Sequence, residues 1–127
     1  AAPEPLTGDQ VSLVGDSVSL ASAPALEASL PGIAIDAQVS RSFYAGLETL
    51  QAMDAEYGPR PYVVVALATN GEVLGDQIQA LLDYLGPGRK LVLVTGFGPA
   101  RTTWIPGANQ TIRDFAAAHP DRINPHL

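Results

Sequence analysis

Four short stretches of this sequence combine residue types that perform or support chemistry: Gly15-Asp16-Ser17, Ser40-Arg41, Thr69-Asn70-Gly71 and Gly96-Phe97-Gly98. In "VSLVGDSVSL" (residues 11–20) a valine-rich run ends at a glycine, which permits a tight turn, and an acid and a serine follow where a helix begins. A serine at a helix N-terminus stands beside unpaired N–H groups that can stabilise a developing oxyanion. Asp and Ser are equally the ordinary residues for capping a helix, so at this level Ser17 reads both as a nucleophile and as a cap. Asn70 follows the most apolar run of the chain. By type it is a turn residue, and its side-chain amide is also able to donate to an oxyanion. A serine nucleophile needs a base, and the sequence holds two imidazoles, His119 and His126.

Other chemistries find less support. Gly96-x-Gly98 follows an apolar run as a dinucleotide fingerprint would, but Arg101 occupies its third glycine position and no GxxxxGK[ST] occurs. No cofactor is expected. Asp16 and Glu72 lie near strand ends, yet their spacing does not single them out as a glycosidase pair. Trp104, in the glycine- and proline-rich stretch 96–107, reads as a sugar platform or as a cover over the sheet edge. The chain has no cysteine and two histidines, which removes thiol chemistry and leaves no multi-histidine metal centre to expect. A formal charge of −6, with seven scattered basic residues, disfavours nucleic acid as a partner. No apolar run approaches the ~20 residues of a membrane span.

The elements that must position these residues alternate in type. Residues 1–10, with small residues and two prolines, read as a flexible tether; one domain is expected over 11–127. Strands are expected at 11–15, 33–39, 62–68 and 90–95, with a further one beginning in "DRINPHL". The run "YVVVALA" (62–68) is apolar at every position, which predicts a central strand covered on both faces. Helices are expected at 18–30, with Leu20, Ala23, Leu26 and Leu30 inward, and at 42–57, capped by Ser42, with Phe43, Leu47, Leu50, Met53 and Tyr57 on one face. Two more are expected, about 74–85 and 108–119. The alternation argues for a three-layer α/β/α sandwich with a mainly parallel sheet, of flavodoxin-like build, with ligands beyond the carboxyl ends of the strands.

"VSLVGDSVSLASAPAL", "IDAQVSRSFYAGL", "VVVALATNG" and "LVLVTGFGPARTTWIPGANQTIRDFAAAHP" together resemble the SGNH-hydrolase-like (GDSL-type) domain of acyltransferase-3 membrane proteins, the peptidoglycan O-acetyltransferase type. The resemblance runs in order over residues 11–121. It implies an extracytoplasmic, cell-envelope domain that forms an acyl-enzyme at Ser17 and passes the acyl group to a glycan hydroxyl or to water. It further implies oxyanion contacts from the Ser17 N–H, Asn70 and the Ser40 region, an acyl donor and a carbohydrate acceptor as partners, and a link to a membrane acyltransferase domain. The family places an Asp-x-x-His after its last strand. That element is absent here: His126 has Ile123 three residues before it and Asp121 five before it. His126 is the remaining candidate base, and His119, ending an amphipathic helix, is a poor one. Without a base the same scaffold would serve as a glycan- or partner-binding module.

Overall fold

The computed structural model describes residues 7–96 and 102–126. Five strands, β1 (Val11–Gly15), β2 (Ala34–Ala37), β3 (Tyr62–Ala66), β4 (Lys90–Val94) and β5 (Ile123–His126), form one sheet in the order β2-β1-β3-β4-β5. Every pairing among them is parallel. The helices α1 (Ser17–Ser29), α2 (Gly46–Tyr57), α3 (Gly75–Leu85) and α4 (Ile105–Ala118) carry the chain back between successive strands. From β1 the chain steps outward to β2, and each later crossover runs toward the opposite edge. Right-handed crossovers therefore set α1 on one face and the other three helices on the other. Consistent with this, α2 packs on α3 and α3 on α4. The result is the expected three-layer α/β/α sandwich.

The main core lies under α2, α3 and α4. Val63, Val65, Leu91 and Leu93 point into it from the sheet and meet Leu50, Met53, Ile78, Leu82 and Ile112, all nearly inaccessible to solvent. Position β3 is central, as its hydropathy implies, but coverage on both faces is not found. Tyr62, Val64, Ala66, Val92 and Val94 on the α1 side are only half-buried, because α1 lies over β1 and β2. A groove of about 490 Å³ runs there, lined by Leu13, Ser19, Leu26, Ala66 and Val94 among others.

The inward face of α1 also differs from expectation. Ser19 is its buried residue, while Leu20 is 48% exposed. The seam is built from small residues: a Cβ on Gly15 would stand 2.2 Å from the Ser19 Cβ, so the helix sits closer to β1 than leucines would allow. Other boundaries shift modestly. Strands β2 and β3 are shorter than the apolar runs that contain them, though Leu67 and Ala68 beyond β3 remain buried. The Ser42 segment opens with a 3-10 turn, Phe43–Ala45, in which Ser42 is the N-cap residue without a side-chain cap bond, and Tyr57 is exposed at 48%. Helix α4 starts at Ile105, before the expected 108, helped by a proline in its first turn, whose fixed φ suits that position.

Three of the basic residues are not scattered in space. Arg60, Arg89 and Arg122 each directly precede or nearly precede a strand, at the amino end of the sheet, and each donates to carbonyls there. Arg60 Nη1 reaches the carbonyls of Gly8 (3.2 Å), Val11 (3.0 Å) and Gly32 (2.9 Å). Arg122 Nη2 reaches those of Leu82 (2.7 Å) and Gly86 (2.8 Å) at the end of α3. Arg89 holds Asp54 in a bidentate pair at 2.8 and 2.9 Å and donates from Nε to the Arg60 carbonyl at 2.7 Å. Both side chains of that pair are largely buried, so Arg89→Met, which strands the carboxylate, is expected to cost about 3 kcal/mol in urea unfolding. The Tyr84 hydroxyl donates to the same Asp54 carboxylate at 2.7 Å, which, with burial, raises its pKa above the ordinary value. The neutral phenol is thus favoured by folding. Its stabilisation is present in full below the unfolded tyrosine value near 10 and is lost as pH rises from there through the folded value. Comparing urea midpoints of the parent and Tyr84→Phe between pH 8 and 11 should show the parent's advantage shrinking at the alkaline end.

Candidate active site

The register pairs Gly15 with Ala37 of β2 and with Ala66 of β3, so the segments that leave all three strands emerge side by side at the carboxyl end of the sheet. The strand order switches between β1 and β3, which is where open parallel sheets bind ligands. Gly15-Asp16-Ser17, Ser40-Arg41 and Thr69-Asn70-Gly71 are the segments brought together.

The capping role belongs to Asp16. Its side chain accepts from the Val18 N–H at 3.0 Å, and Ser17 is the first residue of α1. Ser17 is exposed, and its hydroxyl makes no hydrogen bond with any described residue. Asp16 itself is 1% exposed and fully engaged. Besides the cap bond it accepts from the Thr69 hydroxyl, in a short contact, and from Asn70 Nδ2 at 3.3 Å. Asn70 Nδ2 donates also to the Arg41 carbonyl at 3.1 Å. The Arg41 guanidinium in turn donates to the Asp36 carbonyl at 2.7 Å, to the Asp36 carboxylate at 2.9 Å and to the Gly15 carbonyl at 3.4 Å. A closed set of bonds therefore ties the three segments together around Asp16. Ser40 sits in it with a left-handed backbone, φ 62°, and an exposed side chain.

A fourth segment braces the third. Trp104 Nε1 donates to the Thr69 carbonyl at 2.9 Å. Asn109, on α4, pins the end of β4 with both atoms of its amide: Oδ1 accepts from the Gly96 N–H at 2.7 Å and Nδ2 donates to the Gly96 carbonyl at 2.8 Å. Gly96 needs to lack a side chain, because a Cβ would stand 2.9 Å from the Ala68 carbonyl oxygen. Phe97 and Gly98, the rest of the glycine-rich candidate, lie outside the described residues, as does the proposed tether over residues 1–6. Residues 7–10 of that tether are ordered, with a 3-10 turn at Gly8–Gln10.

His126 lies at the carboxyl end of β5, in register with Val94. Three strand spacings, about 14 Å, separate β5 from β1 in the sheet. His119 follows α4 at the opposite, amino end and stacks on Phe115 with ring centroids 5.9 Å apart. Asp16 and Glu72 do not form a carboxylate pair facing solvent: Asp16 is buried and bonded, Glu72 exposed. Among the described residues no three His, Asp or Glu side chains cluster as a metal ion would require. Four residues escaped the sequence reading in their actual roles: Asp16 as hub, Thr69 and Trp104 as its supports, and Asn109 as a clamp. Thr69 stood beside a candidate, and an acid at a strand-to-helix turn is itself a cap signal; Asn109 carried no local sign.

No protein-family model matches the sequence, and no curated protein matches it significantly. Solved structures do match. The C-terminal catalytic domain of peptidoglycan O-acetyltransferase A (OatA) from Streptococcus pneumoniae, solved with a methylsulfonyl adduct, is similar with a TM-score of 0.78 and 27% sequence identity. The similarity covers 94% of this chain and 69% of that one. The chain thus has the SGNH-like fold of such a domain, in agreement with the motif resemblance.

Asp16→Ala removes a helix cap and, with Oδ2, the acceptor of two further hydrogen bonds at once. It is expected to lower stability by about 2 kcal/mol in urea unfolding, with Asp16→Asn, which keeps an acceptor for the cap, losing roughly half as much.

Proposed function

We propose that this domain is an extracytoplasmic O-acyltransferase or esterase of the peptidoglycan O-acetyltransferase type, with Ser17 as nucleophile and cell-envelope glycan as acceptor. The observation that carries the proposal is the bonding of Asn70 to the Asp16 turn, in a chain whose fold is that of an O-acetyltransferase domain. A side-chain amide, a helix-start serine and that serine's own unpaired N–H converge at one strand end.

In the proposed reaction Ser17 Oγ forms a bond to the acyl carbonyl carbon of an ester while its proton passes to a base. The carbonyl oxygen gains the negative charge of the tetrahedral intermediate. The Ser17 N–H, unpaired because it opens α1, and Asn70 Nδ2 are the donors for that charge, with the Ser40 segment beside them. The longer of the two Asn70 bonds, 3.3 Å to Asp16, is the one that yields most easily. Collapse breaks the ester C–O bond, the departing alcohol takes the proton, and the serine keeps the acyl group. A sugar hydroxyl or water then attacks the acyl-enzyme by the reverse sequence. The base is His126 or a histidine supplied from outside this chain, and the domain works beside a membrane acyltransferase.

One observation favours a second reading. The Ser17 hydroxyl has no hydrogen-bond partner among the described residues, so the scaffold also suits a glycan- or partner-binding module without its own chemistry. Intact-mass analysis after a serine-directed phosphonofluoridate, with turnover of an aryl acetate, separates the two. The expected result is one adduct on the parent and none on Ser17→Ala, whose turnover falls at least about 10³-fold. A comparable loss in His126→Ala assigns the base. A parent that neither labels nor turns over ester supports the binding module, and full turnover by Ser17→Ala overturns the serine mechanism.

A further inference from the structure

Residues 38–41 form a turn beyond the carboxyl end of β2 that no apolar side chain of its own holds down. Gln38, Val39 and Ser40 are all exposed, Val39 at 68%. Ser40, at φ 62°, is the one described non-glycine residue in the left-handed region, a conformation that glycine and asparagine take more readily. Such a residue keeps its conformation only where its surroundings fix it. Backbone bonds supply part of the fixing. The Arg41 N–H donates to the Gln38 carbonyl at 3.4 Å and closes the turn, while the Gln38 N–H donates to the Gly15 carbonyl at 3.2 Å. The first bond is long, and the second ties only the start of the turn to β1.

The Arg41 side chain supplies the rest. It is 7% exposed, in contrast to the three residues before it. Nη1 donates to the Asp36 carbonyl at 2.7 Å and to the Gly15 carbonyl at 3.4 Å, and Nη2 donates to the Asp36 carboxylate at 2.9 Å. Asp36 lies in β2 and Gly15 ends β1, so one planar guanidinium pins the end of the turn to two adjacent strands at once.

What the pinned turn presents to the site is the Arg41 carbonyl. An amide NH₂ group carries two hydrogens. Asn70 directs one to this carbonyl at 3.1 Å and the other to Asp16 at 3.3 Å, and its Oδ1 accepts from no described residue. When the longer bond yields to an oxyanion, the bond to Arg41 is what keeps this exposed side chain aimed across the strand ends. We infer that Arg41 is a positioning residue of the site: its guanidinium fixes the 38–41 turn, and the carbonyl held there orients the Asn70 amide toward the charge that develops beside Ser17. The inference rests on the proposed acyl transfer and deepens it. Arg41 acts through Asn70 and donates nothing to the reacting atoms.

Arg41→Ala and Asp36→Ala test the role. The first leaves a carboxylate that is already 41% exposed to water, so the fold is expected to hold; the second keeps the Asp36 carbonyl bond of Nη1 and is the milder change. Solvent exchange of the Asn70 side-chain amide protons, read by NMR and assigned by their loss in Asn70→Asp, needs no turnover. Exchange is expected to quicken at least about fivefold in Arg41→Ala and about twofold in Asp36→Ala, with the backbone amides of β4 unmoved. In aryl acetate turnover Arg41→Ala should lower kcat at least about tenfold with KM within about twofold, the pattern of an interaction made only in the transition state. In an Asn70→Ala background the same substitution should cost less than about twofold, because its effect passes through the amide already removed. Unchanged exchange overturns the positioning role, and so does a kcat loss that is the same with and without Asn70. If Arg41→Ala does not fold, Asp36→Ala decides by the same two readings. A parent that turns over ester while Asn70 is indifferent to Arg41 keeps the reaction and loses the positioning role. A parent that neither labels nor turns over loses the reaction, and the amide exchange alone then decides the role of Arg41.

Discussion

A carboxylate taken almost completely out of water must have every oxygen answered, and in this fold Asp16 is that carboxylate. Its environment is local on one side and distant on the other. The Val18 N–H comes from the helix that Asp16 begins, while the Thr69 hydroxyl and the Asn70 amide arrive from 53 and 54 residues later in the chain. A buried acid left without donors loses on the order of 1–3 kcal/mol, so the Val18 and Thr69 bonds must hold even where the longer Asn70 bond yields. The geometry of the strand ends follows from them. Because Asp16 caps α1, Ser17 is released from capping and stands at the first helical position with a free hydroxyl. Because Asp16 holds Thr69 and Asn70, the turn after β3 leans toward β1 and not toward solvent. A single buried charge thus does what neither a turn motif nor a helix propensity does alone: it fixes the relation between two loops.

The two ends of the sheet are built from different chemistry. At the amino end, guanidinium groups answer carbonyls: Arg60, Arg89 and Arg122 bind the last turns of helices and the chain entering the strands. These are long, many-donor side chains, suited to satisfying several exposed acceptors where helices finish. At the carboxyl end the groups around Asp16 are short and neutral, namely Thr69 and Asn70, and the Arg41 guanidinium binds Asp36 and the Gly15 carbonyl. Such an arrangement keeps the N-terminus of α1 open. A guanidinium placed there would satisfy any incoming anion itself. The division of labour places three of the basic residues on structure at the amino end, while Arg41 at the carboxyl end is committed to Asp36 and the Gly15 carbonyl.

Much of this was legible because it is periodic or local. The strand and helix alternation, the parallel sheet and the strand-end positions of Ser17, Ser40 and Asn70 follow from apolar runs and turn residues. Three features were not, and each has a physical reason. The inward face of α1 differs because hydropathy counts leucines, whereas the seam is set by the Ser19 side chain packed against the Gly15 backbone, closer than a side chain at residue 15 would allow. The coverage of β3 was overread because an apolar run reports what a strand tolerates, and Val64 and Ala66 face a side where one helix covers only the neighbouring strands. The roles of Trp104 and Asn109 were invisible because each bonds to backbone atoms, Thr69 and Gly96, and a backbone acceptor leaves no trace in residue type.

The remaining asymmetry is between groups that stabilise charge and groups that move protons. Donors for an oxyanion can be supplied by the turn itself, since helix-start N–H groups and a neighbouring strand's amide are brought together by adjacent register. A base has to come from farther away, because the acid beside Ser17, Asp16, is buried and turned to Val18, Thr69 and Asn70. The sheet order then governs what is in reach. Strands β2 and β3 flank β1 and deliver Ser40 and Asn70, neither of which is basic; β5, which carries His126, is three spacings away, and α4 delivers His119 to the wrong end. In the proposed reaction the charge-stabilising half would thus come from short-range pairing of neighbouring strand ends, and the base from a more distant part of the fold.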